Sequence, residues 1–494
     1  MKIKNILLIL LALSVTIGCK KLEVENINNP DFAKVYSSGD DLKSIAGSLF
    51  NTFYEGSHSY SGVQMFLATA ADNGTCSWGN QAMRDMSWEP RNAWNNAPNY
   101  SYEGTTKFFF DKMYASINTA SNVLKAMDGG VKIGPNGADD KLVRAFAKYN
   151  QGIAYGNLAL VFDKAFIVDE NTSLPGATVA DAKPYAVIGA AAVAYLDVAI
   201  GLATANTFTV PKDWLGTPAD VSSAEFARIC NTAAARILSY MPRTSTQLAA
   251  VNWAKVKTYA DAGITSDFSV LNDQYVKWYQ EAGDYLTYPG WARVDMYVVN
   301  MMDPANQPQH WTDSPTFPHP AASTTPSDQR LLSDFQYLSS NAFRPERGYY
   351  HYSNYRHSRY DAGYLNGDGL MPEVMKSEND MLKAEARAYT GDVAGAAAII
   401  NAGTRVTRGS MAPVAAVLAD VVKAIHHERH VEMFITGVGL QFFEMRKRNL
   451  LQKGTLLHWP IPAKTLETFG EALPFYTFGG GTGDGTNSSN VGWR

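Results

Sequence analysis

Residues 373–401 read EVMKSENDMLKAEARAYTGDVAGAAAIIN. Val374, Glu378, Met381, Leu382, Glu385 and Tyr389 fall at steps of three and four, which lays one stripe along a helix over 373–389. Gly391-Asp392 is a tight turn, and 393–401 is a second helix with alanine where the two would touch. Glu378 and Glu385 lie on the core-facing stripe, and a buried carboxylate must be paired or neutral. Arg405 and Arg408, just past the hairpin, are the expected partners of Glu385 in a structural ion pair.

Two short helices joined this way read as a tetratricopeptide-like hairpin. The pattern extends outward. Phe110, Met113, Ile117, Ala120, Leu124 and Met127 form one apolar stripe, stopped by Gly129-Gly130. Leu142, Ala145, Tyr149, Ile153, Gly156 and Leu160 form another. Further helices are expected over 190–205, 224–240, from 253 to 260, and over 420–434. Between 261 and 370 the helical period fades, turn residues multiply and aromatic rings crowd in. A loop-rich stretch of that length inside a globular chain is usually functional. The expected architecture is mainly α: one domain over 41–494, with a helical hairpin scaffold at 41–260 and 371–470 carrying an irregular, loop-rich binding subdomain at 261–370. The Gly/Ser/Asn-rich tail at 479–490 is expected to be mobile.

The composition narrows the function. Among 494 residues, 43 Lys and Arg face 47 Asp and Glu, a net charge of -4, which argues against a nucleic-acid binder. With 46% hydrophobic residues the chain is not intrinsically disordered. The 26 Tyr and 10 Trp are suited to binding surfaces, where such rings bury large area at low entropy cost. The N-terminus has the order of a signal peptide: Lys2 and Lys4, then an apolar run from Ile6 to Gly18, too short to span a bilayer. A small residue directly before Cys19 is the lipoprotein processing pattern, so 1–18 is a signal peptide, Cys19 the lipidated residue, and 19–40 a polar tether. No later run is expected to reach spanning length. Cys76 and Cys230 have no metal-ligand spacing, and a core this large needs no disulfide staple.

Motifs for chemistry are few. His426 and His430 stand one helical turn apart, but His427 occupies the place where a zinc-protease helix needs Glu, so the cluster reads as a polar helix face. Asn366-Gly367-Asp368-Gly369 lacks the later ligands of a calcium loop and reads as a turn. There is no GxSxG, Walker A or dinucleotide fingerprint. No catalytic residue, metal site or cofactor is assigned.

Taken in order, several blocks resemble the SusD/RagB family of outer-membrane lipoproteins from Bacteroidetes. They are the signal with Cys19; Met113 to Asn122; the alanine-rich helix over 147–161 with Phe162-Asp163; and Ala233 to Leu238 with Trp253 to Val256. Asp328-Gln329-Arg330, Leu382 to Ala386 with Gly391-Asp392, and Glu428-Arg429 with Glu432, Arg446 and Pro460-Ile461-Pro462 complete the likeness. The resemblance implies a SusD-like fold and a non-enzymatic protein lipid-anchored on the outer membrane and facing outward. It would bind nutrient oligomers, glycans foremost and peptides as the other class, and deliver them to a SusC-like TonB-dependent transporter. A surface-anchored glycan hydrolase would instead need two carboxylates about 5–9 Å apart across a cleft. An adhesive surface lipoprotein would lack an aromatic ledge.

In the resemblance, ligand-binding rings come from an early loop and from the central insert. The early loop here, 72–100, supplies Trp78, Trp88 and Trp94, and the insert supplies Tyr288, Trp291 and Trp311, with Asn73 and Arg293 as polar candidates. At least half of these six rings are expected to be core. Trp78 and Trp291, each beside Gly or Pro in a polar loop, are the leading choices.

Overall fold

Eighteen of the 22 residues of the helix Asp140–Val161 are buried, so it is surrounded on nearly every side. In this computed structural model, which describes residues 36–172, 176–308, 319–343, 352–483, 487–490 and 492, that helix is the pivot of the scaffold. Call the principal helices α1 (Glu103–Asp128), α2 (Asp140–Val161), α3 (Tyr185–Ala205), α4 (Ser223–Tyr240), α5 (Trp253–Asp261), α6 (Lys376–Tyr389), α7 (Val393–Ala402), α8 (Leu418–Val431) and α9 (Leu440–Lys447). Each of α1 to α7 packs against the next, and α8 lies on α6. The scaffold is therefore a succession of helical hairpins, as the periodicity predicts. Two glycines set how closely they approach. A Cβ on Gly152 would lie 2.6 Å from Leu196 of α3, and one on Gly156 would lie 2.3 Å from Ile237 of α4. Only a residue without a side chain fits there.

Caps fix where the helices begin. Ser222 accepts from the Glu225 amide to open α4, and Asp392 accepts from the Gly395 amide to open α7 directly after the turn. One boundary differs from expectation. Glu373 and Val374 belong to a strand, Asp368–Val374, which pairs with Phe268–Asp273, so α6 begins only at Lys376. The helical period at Val374 was overridden by ladder bonding to the insert.

A second correction concerns α3. Its 21 residues are long and apolar enough, by length and composition, to cross a membrane, contrary to the expectation that no later run would be. Its inner face, including Ile188, Ala192, Leu196 and Ala199, is buried against its neighbours.

The insert, and the early loop that pairs with it, are built of short pieces. Call the strands β1 (Gly74–Cys76), β2 (Phe268–Asp273), β3 (Ala292–Val294), β4 (Phe335–Tyr337), β5 (Tyr355–His357) and β6 (Asp368–Val374). They pair antiparallel as β1 with β3, β2 with β6 and β4 with β5. The tail expected to be mobile is held down where it is described. Gly479 bridges Ala93, Ser488 bridges Leu456, and Ser488 and Ser489 are buried. Cys76 and Cys230 are both buried and unpaired.

Buried charge joins the parts. Glu385 does not meet Arg405 or Arg408. It accepts from Arg429 at 2.7 Å, Arg448 at 2.8 Å, Lys447 at 2.9 Å and Ser239 at 2.8 Å. Arg405 lies 3.7 Å from Glu428, and Arg408 pairs with Glu432 and Asp334. The segment after α7 carries both arginines to the Glu428 and Glu432 side of α8, whereas Glu385 faces α9. Glu378, the other stripe carboxylate, is held by Arg236 at 2.6 Å. A second network, centred on Arg330, ties the insert to α8 through Asp328, Glu428 and Glu432 at 2.7 to 3.1 Å, with Arg359 and Arg408 also on Glu432.

The histidine cluster is not a solvated face. His426, His427 and His430 are all buried. His426 meets the Tyr297 hydroxyl at 2.8 Å and Glu444 at 3.3 Å, and His427 meets Asp328 at 2.8 Å. Among the described residues no group of three or more His, Cys, Asp or Glu is placed to hold a metal ion.

Candidate ligand-binding face

The pairing of β1 with β3 brings the early loop against the insert, with Thr75 opposite Arg293 and Cys76 opposite Ala292. Beyond β1 the chain turns. The Gly79 amide donates to the Cys76 carbonyl at 3.0 Å, and Gly79 takes φ 66°, a left-handed value that favours glycine. Trp78 stands at the tip of this turn, 65% exposed. Before β3 a second turn closes as the Ala292 amide donates to the Tyr288 carbonyl at 2.9 Å. The two turns are joined by the Ser77 amide, which donates to the Trp291 carbonyl at 2.9 Å.

This arrangement puts several rings in one continuous array. Tyr288 and Trp291 are stacked, with centroids 4.1 Å apart and planes 22° from parallel. Tyr285 lies 5.2 Å from Trp291, and Tyr60 lies 4.9 Å from Tyr285. Trp291 is half-buried, its Nε1 donating to the Tyr285 carbonyl at 3.0 Å, while Tyr288 is 37% exposed. Asn80 adds a polar group, its amide donating to the Tyr60 hydroxyl at 2.6 Å and the Tyr285 hydroxyl at 3.3 Å. Flat apolar faces beside fixed amide and hydroxyl groups can hold a ligand with one apolar and one polar side.

Of the candidates read from sequence, Tyr288 and Trp291 are in ring contact, and Trp78 stands exposed on the adjoining turn, which the Ser77–Trp291 backbone bond ties to theirs. Trp88 is half-buried, with the Arg84 guanidinium 5.7 Å from its ring centroid. Trp94 is corrected to core: it is 2% exposed and packs against Phe66, Tyr100 and Trp459. Its amide donates to the Phe478 carbonyl, so the tail closes over it. Trp311 lies outside the described residues. Of the other five rings only Trp94 is core, fewer than the expected half.

The polar candidates are corrected too. Asn73 is wholly buried, its amide 3.5 Å from His430 Nδ1 and its carbonyl accepting from the Asp295 amide. Arg293 is buried as well. It donates to the carbonyl oxygens of Pro289 at 3.0 Å, Ala292 at 2.6 Å and Ser340 at 2.7 Å. Burial first, and then the like charge of Arg356, pulls the Arg293 guanidinium down to about 10. Arg293 therefore ties the turn between Tyr288 and Trp291 to Ser340. Behind it, burial and the neighbouring Asp72 push the Asp295 carboxyl well up, while Arg91 holds Asp72 at 2.8 Å.

Tyr60 and Asn80 were not anticipated. They lie in turns far from the insert in sequence, and neither carries a local signal; the β1–β3 pairing brings Asn80 to the rings, and Glu281 of the insert holds the Tyr60 amide at 2.8 Å.

Comparison with solved structures follows this geometry. The chain is similar to a SusD superfamily protein of Bacteroides vulgatus ATCC 8482, with a TM-score of 0.57 at 13% identity over 89% of this chain and 94% of that one. A SusD superfamily protein of Bacteroides thetaiotaomicron VPI-5482 aligns with a TM-score of 0.56 at 13% identity, over 87% and 93% of the two chains. A SusD-like carbohydrate binding protein of Bacteroides fragilis NCTC 9343 gives 0.57 at 13%, over 83% and 86%. No sequence-family model matches the chain, and no curated protein matches it in sequence. At such low identity the likeness is one of architecture, and the mainly α scaffold with its irregular insert has the SusD-superfamily fold.

Proposed function

We propose that this chain is a non-catalytic glycan-binding lipoprotein of the cell surface. It is anchored to the outer membrane through Cys19 and delivers oligosaccharide to a SusC-like TonB-dependent transporter. The observation that carries the reading is the stacked pair of exposed Tyr288 and half-buried Trp291, with exposed Trp78 on the adjoining turn, on a SusD-superfamily fold. Stacked aromatic faces suit the C–H faces of sugar rings, and the Asn80 amide with the hydroxyls of Tyr60 and Tyr285 suits their hydroxyls. A structural relative of this architecture is described as a carbohydrate binding protein, which favours glycan over peptide. Cys19 and the signal before it lie outside the described residues, and the anchor rests on their sequence pattern alone. A processed lipoprotein carries more than one acyl chain, and stable membrane attachment needs more than one.

The test is an affinity panel of neutral oligosaccharides and peptides against the wild type and Trp78→Ala. The expected result is binding of at least one oligosaccharide, weakened in the variant. Binding confined to peptides would overturn the glycan assignment.

A further inference from the structure

The hairpin of β4 and β5 bears a second concavity, separate in its residues from the ring face. A cleft of about 550 Å³ opens beside it. Its floor is apolar: Leu331, Phe335 and Tyr355 are buried there, and Leu332, 49% exposed, stands at the edge. The polar side is one locked assembly. The buried Arg356 guanidinium donates from both terminal nitrogens to the two oxygens of Asp361, at 2.7 and 2.6 Å. Its Nε donates to Gln336 Oε1 at 2.7 Å. With Oε1 engaged, the exposed Gln336 amide has its Nε2 donors left for a ligand, and half-exposed Asp361 keeps accepting lone pairs beside them.

We propose that this cleft is a second binding site, taking one ring of a neutral oligosaccharide; the inference rests on the glycan reading above. A sugar carries neighbouring hydroxyls, each both donor and acceptor, and the cleft sets a donating amide beside an accepting carboxylate. The Arg356–Asp361 pair cancels its own charge, so nothing here selects an ionic ligand. Leu332, exposed at the edge, offers an apolar face to the C–H side of the ring. Because Arg356 fixes both polar groups in advance, little side-chain entropy is lost on binding. The cleft volume falls in the range of small-molecule sites. Arg356 also donates to the carbonyl of Thr287 at 3.1 Å, one residue before Tyr288, so the same guanidinium braces the cleft and the ring face.

The experiment is calorimetric titration with maltohexaose, xylohexaose, mannohexaose, cellohexaose and, separately, trialanine. The variants are Leu332→Ala/Gln336→Ala for the cleft and Trp78→Ala/Tyr288→Ala for the ring face. All four side chains are exposed. Far-ultraviolet circular dichroism confirms that both variants fold. The expected result is that a hexasaccharide bound by the wild type binds several-fold more weakly, or with one site fewer, in Leu332→Ala/Gln336→Ala. Unchanged affinity and stoichiometry in that variant overturns the cleft, and a loss confined to Trp78→Ala/Tyr288→Ala does so while leaving the ring face standing. A loss confined to the cleft variant supports the cleft and removes the ring face. No hexasaccharide binding by the wild type, or trialanine binding abolished by the cleft variant, overturns the proposal.

Discussion

Arg429 and Glu385 meet at 2.7 Å with neither side chain reaching solvent. Arg429 also holds Glu444 at 2.6 Å, and Lys447 lies within 3.3 Å of both carboxylates. Three helices, α6, α8 and α9, converge on this cluster, so its charges act as one group. Replacing Glu385 with Gln leaves three buried cations, Arg429, Lys447 and Arg448, sharing Glu444 as their one remaining carboxylate in the cluster. The expected cost is about 3–5 kcal/mol in denaturant unfolding. Arg405→Ala, by contrast, removes only a 3.7 Å contact to Glu428 and should cost under about 1 kcal/mol.

The same cluster sets an acid limit. Burial pushes the Glu385 carboxyl up, but Arg429, Lys447 and Arg448 outweigh it and hold it down at about 2, against a usual 4.5. A depressed carboxyl stabilises the fold fully above its unfolded value and loses that contribution as pH falls through the folded one. Stability should therefore hold down to about pH 4.5 and fall between there and about pH 2, by roughly 3 kcal/mol from this group. Glu385→Gln should flatten that part of the profile. Lys447 is lowered too, which for an ammonium disfavours the charged form: burial first, then Arg429, outweigh the two glutamates and bring it down to about 8.

Trp78 and Trp94 should separate cleanly. Trp94→Ala empties a packed site between Phe66 and Trp459 and should cost about 3–5 kcal/mol of stability. Trp78→Ala should stay within about 0.5 kcal/mol in the same unfolding assay. Its effect should appear in ligand affinity, on the order of 1 kcal/mol.

Arg293 should act at a distance. Arg293→Lys keeps the charge but cannot reach the carbonyls of Pro289, Ala292 and Ser340 together. The turn bearing Tyr288 and Trp291 should loosen, and oligosaccharide affinity should fall several-fold. An unaltered affinity in a folded variant would show that the turn holds without it.

Cys19→Ala should release the protein from the outer membrane, read by fractionation in cells lacking the transporter. Cys76 and Cys230 should react with a thiol reagent only after unfolding, because both are buried and unpaired.

Much of this architecture was legible because its helices are long and strongly periodic. The stripe from Phe110 to Met127 falls within α1, and the one from Leu142 to Leu160 within α2. The exposure of the candidate rings was half legible: Trp78 is exposed and Trp291 half-buried. Trp78 and Trp291 sit beside Gly and Pro in polar loops, and that local chemistry marked them. Trp94 has a similar setting, yet the C-terminal tail comes back nearly 400 residues later to cover it, and no local pattern encodes that. The partners of Glu385 were missed for the same reason. Helical spacing says which side chains face inward, but the choice between Arg405 and Arg429 depends on which helix packs opposite.

The Arg330 network has a mechanical consequence. Arg330, fully buried, grips carboxylates of the insert and of α8 together, with Arg359 and Arg408 clasping Glu432 from two further segments. Separating the insert from the scaffold would strand several charges in a dry interior at once. The two halves are thus riveted, and no jaw can open between them at modest cost. Any large swing of this protein therefore carries insert and scaffold together, with its pivot outside the riveted body.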